Sequence, residues 1–194
     1  MSKNIVVVGH SYISRLKDFV AHNTSSVAVK SDWGVAEYGF NIPQLIGIGG
    51  VTIDTLVNRN VIAEIGSHQP VLVILQIGSN DLDNRHLSPA FIGMKIYQFA
   101  VSIRQKTGAV VYVCDPIRRE MWRNFSEIQG NKRVSQAQEF LRAVCEDSDG
   151  IFSWRHRGFW NSRHNLDRVH LNLQGQITLY RSIRGAIVNA YKKL

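Results

Sequence analysis

The chain has 194 residues, of which 44% are hydrophobic and 20% are charged, the composition of one globular domain. This excludes a disordered chain, and no apolar stretch reaches the roughly 18 residues that a membrane helix needs. The net charge is +8, and all of the excess lies in residues 98–194, which carry 16 basic and 8 acidic side chains. Two interpretations stay open: a positive face that attracts an anionic substrate, lipid headgroup or nucleic acid, or a charged surface that favours solubility.

The first four residues lead directly into an apolar run, without the hydrophobic core and cleavage site of a secretory signal. A cytoplasmic location is therefore the default expectation, although a chain trimmed of its signal would have the same pattern. Cys114 lies in a buried-strand pattern and Cys145 on a helix face. We expect both to be reduced core residues.

Short apolar runs alternate with helical patterns along the chain. The runs at residues 5–8, 71–77 and 109–114 are rich in Val and Ile, as strands buried on both faces require. Apolar residues at helical spacing predict helices from Ile13, over 52–65, over 88–106, over 134–144, and from Leu173 with Asn172 as its N-cap. This alternation predicts a single α/β domain over residues 1–194, with three α/β/α layers around a parallel sheet of about five strands.

Two segments fit none of these elements. Residues 115–130 and 153–170 are long and rich in Arg, Trp and Asn. Ligands of open α/β sheets bind beyond the carboxyl ends of the strands. We therefore expect both segments at that edge.

Ser11 stands at the exit of the first strand. In Gly9-His10-Ser11 the serine follows the strand at once and precedes a helix. Backbone N–H groups and the helix dipole favour an anion there. The same position also suits a serine that only caps the helix. Ser11 is followed by Tyr12-Ile13, so the Gly-x-Ser-x-Gly pattern is missing, which argues against an ordinary α/β-hydrolase elbow.

Two further strand exits carry groups that can bind an oxygen atom. Gly49-Gly50 ends a second apolar segment, where glycine leaves a backbone N–H open to a ligand or simply makes a tight turn. The segment at residues 76–81 ends the most hydrophobic strand. Its Asn80 amide can donate toward a bound oxygen or close the strand with an Asx-turn.

A carboxylate and an imidazole precede the final helix. In Asp167-Arg168-Val169-His170 the three-residue separation lets the carboxylate turn back onto the ring and hold one tautomer. A solvated loop pair is the alternative interpretation of that segment alone.

The four blocks, in this order, resemble the SGNH or GDSL-type hydrolase superfamily over residues 11–170. The resemblance implies a flavodoxin-like fold and an esterase in which Ser11 is the nucleophile, His170 the base and Asp167 its orienting carboxylate. It also implies an oxyanion hole formed by the backbone N–H groups of Ser11 and Gly50 and by the Asn80 amide.

The chain departs from the family pattern at His10, where the family usually has Asp. A cationic His10 would help an oxyanion or an acidic substrate, whereas a neutral one would only pack. The other histidines show no metal-ligand spacing, there is no Cys-x-x-Cys, and no phosphate-binding or dinucleotide fingerprint is present. We predict neither a metal nor a cofactor.

We predict that the substrate is an ester on a small molecule or polymer. The arginines of residues 153–170 favour an anionic one. The residues predicted to bind it are His10, Arg155, Arg157 and Trp160. The acyl and alcohol groups are not specified by any motif.

A rival interpretation is a weakly active or inactive module that binds nucleic acid or another polyanion. It would use interleaved basic and aromatic side chains, as single-strand binding does: Arg155, Arg157, Arg163, Arg168, Trp154, Phe159 and Trp160. The complete Ser, Gly, Asn, Asp and His set favours the enzyme. Because the chain is also similar in size to esterase-like domains encoded by animal mobile elements, both interpretations can hold together.

Overall fold

The structure, a computed structural model, describes residues 3–23, 28–159 and 167–194. Within these ranges five strands form one parallel sheet in the order β2-β1-β3-β4-β5. The strands are β1 (Asn4–Gly9), β2 (Gln44–Gly47), β3 (Pro70–Gln76), β4 (Val110–Cys114) and β5 (Ile151–Trp154). The predicted α/β class and parallel sheet are confirmed, and a single domain over residues 1–194 stays a prediction.

Helices cover both faces of the sheet. The described ranges contain α1 (Ser11–His22), α2 (Ile53–Asn58), α3 (Val61–Ser67), α4 (Pro89–Thr107), α5 (Glu127–Glu146) and α6 (Leu173–Tyr191). Side chains alternate across β1, so that Val6 and Val8 pack with α2 to α5, whereas Ile5 and Val7 pack with α1 and α6. Two hydrophobic cores therefore lie on opposite faces of one sheet, which gives the three predicted layers.

The two caps at the starts of the long helices α4 and α6 follow from the sequence. The Asn172 side chain accepts a hydrogen bond from the Gly175 N–H at 2.9 Å, which confirms it as the N-cap of α6. Ser88 caps α4 in the same way through the Phe91 N–H at 3.1 Å. These side chains satisfy backbone groups that the first helical turn leaves unpaired.

Two predicted element boundaries are wrong. The helix predicted over residues 52–65 is two helices, because Asn60 adopts a left-handed conformation (φ 52°) between α2 and α3. The segment over residues 115–130 is not all loop, since Ser126 and Gln129 form a capping box that starts α5. Within the other unassigned segment, residues 153–154 belong to β5.

Strand order places a crevice at the ends of β1, β2 and β3. The chain goes outward from β1 to β2 and then crosses to β3 on the other side of β1, and ligands bind at such a reversal. At the last register position of β1, Gly9 pairs with Gly47 on one side and with Gln76 on the other. The residues after these three positions therefore share one edge of the sheet.

No helix in the described part of the chain is long and apolar enough to cross a membrane.

Cys114 and Cys145 are buried and free, which confirms their prediction as reduced core residues. Burial raises the pKa of the Cys145 thiol to about 11, so that this thiol stays protonated at neutral pH.

Close packing of α1 on β2 requires glycine at position 47. A Cβ atom there would lie 2.1 Å from the backbone nitrogen of Ser14. We expect Gly47→Ala to lower the free energy of unfolding by about 3 kcal/mol, because overpacking against backbone leaves no side chain to move aside. Urea denaturation measures this, with Gly49→Ala as the matched control, since a Cβ at Gly49 meets no atom within 4 Å. Equal losses in the two variants would contradict the packing argument.

Candidate active site

Ser11 is the first residue of α1, directly after the turn that leaves β1. The carbonyl of His10 accepts the N–H groups of Ile13 and Ser14, so the helix begins at that point. The Ser11 N–H precedes these donors and belongs to the group that a helix start leaves without an intrahelical acceptor. Ser11 therefore presents a hydroxyl and a backbone donor at the positive end of the helix dipole.

Gly50 and Asn80 meet at the ends of β2 and β3. The Asn80 amide nitrogen donates to the carbonyl of Val51 at 2.8 Å, which holds the loop after β2 against the loop after β3. Gly50 is exposed and has φ 72°, a conformation that a side chain would strain. The two donors predicted for the oxyanion hole are thus neighbours through Val51.

Asp167 and His170 form a hydrogen-bonded pair. Oδ2 of Asp167 lies 2.7 Å from Nδ1 of His170, and Oδ1 accepts the backbone N–H of His170 at 2.6 Å and that of Val169 at 3.1 Å. The side-chain and backbone hydrogen bonds from His170 hold the pKa of Asp167 well below its ordinary value. Because the carboxylate is ionised and only accepts, Nδ1 carries the hydrogen and Nε2 is left as a proton acceptor.

The turn at residues 167–170 is docked onto the start of α1. The Tyr12 hydroxyl donates to the carbonyl of Val169 at 2.8 Å, one residue after Ser11 on one side and one residue before His170 on the other. The carbonyl of Arg168 accepts the N–H groups of Glu120 and Met121, each at 3.0 Å. The turn is thereby fixed from two elements although Arg168 has the unfavourable φ of 67°.

Arg119 was not predicted and lies at the centre of these groups. It belongs to the β4–α5 loop (residues 115–126) and is 6% exposed. Its Nη2 donates to Asn80 Oδ1 at 3.0 Å, and its Nε donates to the Tyr12 hydroxyl at 3.3 Å. No spacing rule identifies such a residue, and the only signal was that the loop is rich in Arg and lacks a predicted element.

His10, which the sequence predicted to bind substrate, is a buried packing residue. It is 1% exposed, and its ring packs at a tilt against the ring of Tyr12, with the two centroids 4.6 Å apart. Within the described ranges neither ring nitrogen has a hydrogen-bond partner. Burial lowers the pKa of His10 to about 3, and the nearby charge of Arg119 acts in the same direction. Of the two forms considered from the sequence, burial thus favours the neutral one.

The described contacts do not bring the basic residues that were predicted to bind substrate to the candidate site. Arg155 lines a separate cavity of about 80 Å³ at the end of β4, together with Asp115, Arg142 and His156. Arg157 is exposed, whereas Trp160 and Arg163 lie outside the described residues. The prediction that Arg155, Arg157 and Trp160 bind substrate stays a prediction.

Trp154, expected to stack on bases in the rival interpretation, is engaged in the fold. Its indole N–H donates to the Ser182 hydroxyl at 3.1 Å, and its ring lies 6.0 Å from that of Tyr112. Ser182 also bonds to Nδ1 of His156 at 2.7 Å.

Over the described part of the chain, no group of three His, Cys, Asp or Glu side chains is placed to hold a metal ion.

Asp81 fixes the position of the loop after β2. It is 4% exposed, and its Oδ1 accepts the N–H of Ile53 at the start of α2 at 3.1 Å. Burial raises the pKa of Asp81 to about 6, against the opposing effect of this hydrogen bond. A buried carboxyl thus lies directly beside Asn80 in the sequence.

We expect Asp81 to make stability depend on pH between pH 4 and 7. Its folded pKa lies above the ordinary 3.8, so its contribution is present below about pH 4 and is lost as the pH rises through 6. Asp81→Asn keeps a neutral acceptor for Ile53, so the stability of wild type relative to this variant should fall by up to about 3 kcal/mol over that range. Urea unfolding of both proteins at each pH tests this. Parallel curves would contradict it.

Comparison with known proteins supports the fold assignment. No family model matches the sequence, and no match was found among curated proteins. A GDSL-like lipase from Bacteroides thetaiotaomicron superposes with a TM-score of 0.69 at 19% identity, over 97% of this chain and 89% of its own. The lipase/acylhydrolase from Enterococcus faecalis gives 0.64 at 18%, over 98% and 97%. A family 3 carbohydrate esterase from Clostridium thermocellum gives 0.62 at 15%, over 100% and 98%. The chain therefore has the SGNH/GDSL hydrolase fold, as the sequence motifs implied.

Proposed function

We propose that this chain is a serine hydrolase of carboxylic esters. Ser11 is the nucleophile, His170 the general base and Asp167 the carboxylate that orients the imidazole. The observation that supports this most is the docking of the Asp167 and His170 pair, through the bond from Tyr12 to Val169, onto the turn that carries Ser11.

The first half of the reaction transfers the acyl group to the enzyme. Nε2 of His170 takes the hydroxyl proton of Ser11 while Oγ bonds to the ester carbonyl carbon and an electron pair moves onto the carbonyl oxygen. The imidazolium is stabilised by the ionised Asp167. When the tetrahedral intermediate collapses, the carbon–oxygen bond to the alcohol breaks and His170 returns the proton to the leaving alcohol.

The developing oxyanion faces three N–H donors in this proposal. They are the backbone N–H groups of Ser11 and Gly50 and the second amide hydrogen of Asn80, whose first is bonded to Val51. Donors that are fixed before the reaction need no reorganisation as charge develops, and loss of one typically costs about 10²–10³ in rate.

The second half releases the acid. His170 removes a proton from water, the water oxygen bonds to the acyl carbon, and the carbon–Oγ bond breaks with return of the proton to Ser11. The sequence leaves the acyl and alcohol groups open. A series of p-nitrophenyl esters from acetyl to palmitoyl identifies the acyl class, with Ser11→Ala as the blank for each ester.

We expect a fluorophosphonate probe to label the protein once, at Ser11, because only an activated serine displaces fluoride rapidly. Peptide mapping by mass spectrometry locates the label. Ser14→Ala is the matched control, since it removes the next serine of the same helix and should label like wild type. Equal labelling of wild type and Ser11→Ala would refute the proposed nucleophile.

Asp167→Asn should lower kcat by about 10³-fold or more with little change in KM, because an amide cannot hold the same tautomer or stabilise the imidazolium. Thermal unfolding of the variant should stay close to that of wild type, since Asp167 is half exposed. Asp149→Asn is the control, an exposed carboxylate paired with Arg104 before β5. Wild-type kcat in a folded Asp167→Asn protein would remove Asp167 from the mechanism.

A further inference from the structure

The backbone of Arg119 is held in place by the side chains of Asn131 and Trp122. The Arg119 N–H donates to Asn131 Oδ1 at 3.0 Å, and its carbonyl accepts from Asn131 Nδ2 at 2.9 Å and from the Trp122 indole at 3.3 Å. Three side-chain contacts on the two peptide groups that flank the Arg119 Cα leave the start of the arginine side chain little freedom. The long side chain therefore begins from a fixed point inside the protein.

Arg119 is buried, yet none of the ion pairs in the described part of the chain joins it to a carboxylate. This combination is unusual for an arginine. Its positive charge is compensated by neutral oxygens, on Asn80 and Tyr12, and by the faces of two rings, 5.6 Å away at Tyr12 and 5.7 Å away at Trp122. An unpaired buried charge is costly to fold. Such a cost is expected where the charge serves the site.

The two partners of the Asn80 amide fix its orientation independently. Arg119 has only donors, so the Asn80 atom that faces it must be the oxygen. The Val51 carbonyl only accepts, so the atom that faces it must be the nitrogen. If Arg119 is lost, only the hydrogen bond to Val51 holds the amide, so that it rotates more freely and more often presents its oxygen to the site, where it would repel an oxyanion.

We propose that Arg119 is a positioning residue that acts through Asn80: it locks the amide with its nitrogen toward the oxyanion and, by bonding to the amide oxygen, makes that N–H a stronger donor. This inference rests on the proposed ester hydrolysis. Arg119 itself touches neither the nucleophile nor the base in the described contacts, so it acts through the side chains that it bonds, and we assign its effect on rate to Asn80.

The same guanidinium also reaches the base side of the site. Its Nε donates to the Tyr12 hydroxyl, which in turn donates to the Val169 carbonyl next to His170. A planar fork holds two separate nitrogens toward Tyr12 and Asn80 in fixed directions, a geometry that a lysine ammonium does not reproduce. Arg119→Lys should therefore not restore the wild-type rate although it restores the charge.

A double-mutant cycle on p-nitrophenyl acetate hydrolysis tests the proposal. In the wild-type background Arg119→Met should lower kcat by about 10–30-fold with KM nearly unchanged, whereas in the Asn80→Ala background the same substitution should cost less than about threefold. Met keeps the length of the apolar stem. If Arg119→Met does not fold, Arg119→Lys is carried through the same cycle, with the same non-additive result expected.

Arg118→Met is the matched control, because Arg118 is the adjacent exposed arginine and bonds to Ser135 outside the site. It should turn over at the wild-type rate. An equal loss from the Arg119 substitution in both Asn80 backgrounds would overturn the proposal, as would a loss that disappears only when Tyr12→Phe replaces Asn80→Ala. In those cases, turnover that still depends on Ser11 would leave the proposed ester hydrolysis standing. Turnover that Ser11→Ala does not reduce would instead overturn both.

Discussion

The hydrogen bond from the Tyr12 hydroxyl to the Val169 carbonyl joins positions 157 residues apart, and the rest of the site depends on it. Ser11 belongs to α1, whereas His170 lies in the turn that precedes α6, so no local structure keeps the two residues together. Tyr12 is fully buried, which shields the donor side of this bond from water. A side chain next to Ser11 thus sets where His170 stands.

The sheet supplies the remaining alignment. Gly9, Gly47 and Gln76 end their strands level with one another, and the groups proposed as nucleophile and oxyanion donors follow within a few residues. Groups that stand on rigid strand ends keep their geometry without ligand. The exposed loops around them can then vary without moving the donors.

The sequence was sufficient for what depends on local chemistry and order. Strand periodicity and the Asn172 cap predicted the sheet and the last helix, because each rests on neighbours in sequence, and the four motif blocks predicted site residues whose roles stay a proposal. Arg119 could not be predicted, since its partners Asn80 and Tyr12 lie on other elements. The sequence left the charge of His10 open, because its lowered pKa results from burial that only the assembled fold creates.

The most direct test of the account is a crystal structure of the protein inactivated with diisopropyl fluorophosphate. We expect phosphorus bonded to Oγ of Ser11, with the phosphoryl oxygen about 2.7–3.1 Å from the backbone nitrogens of Ser11 and Gly50 and from Nδ2 of Asn80. Arg119 should remain bonded to the Asn80 oxygen. An adduct on another residue, or a phosphoryl oxygen turned to solvent away from these three nitrogens, would contradict the assignment of the site.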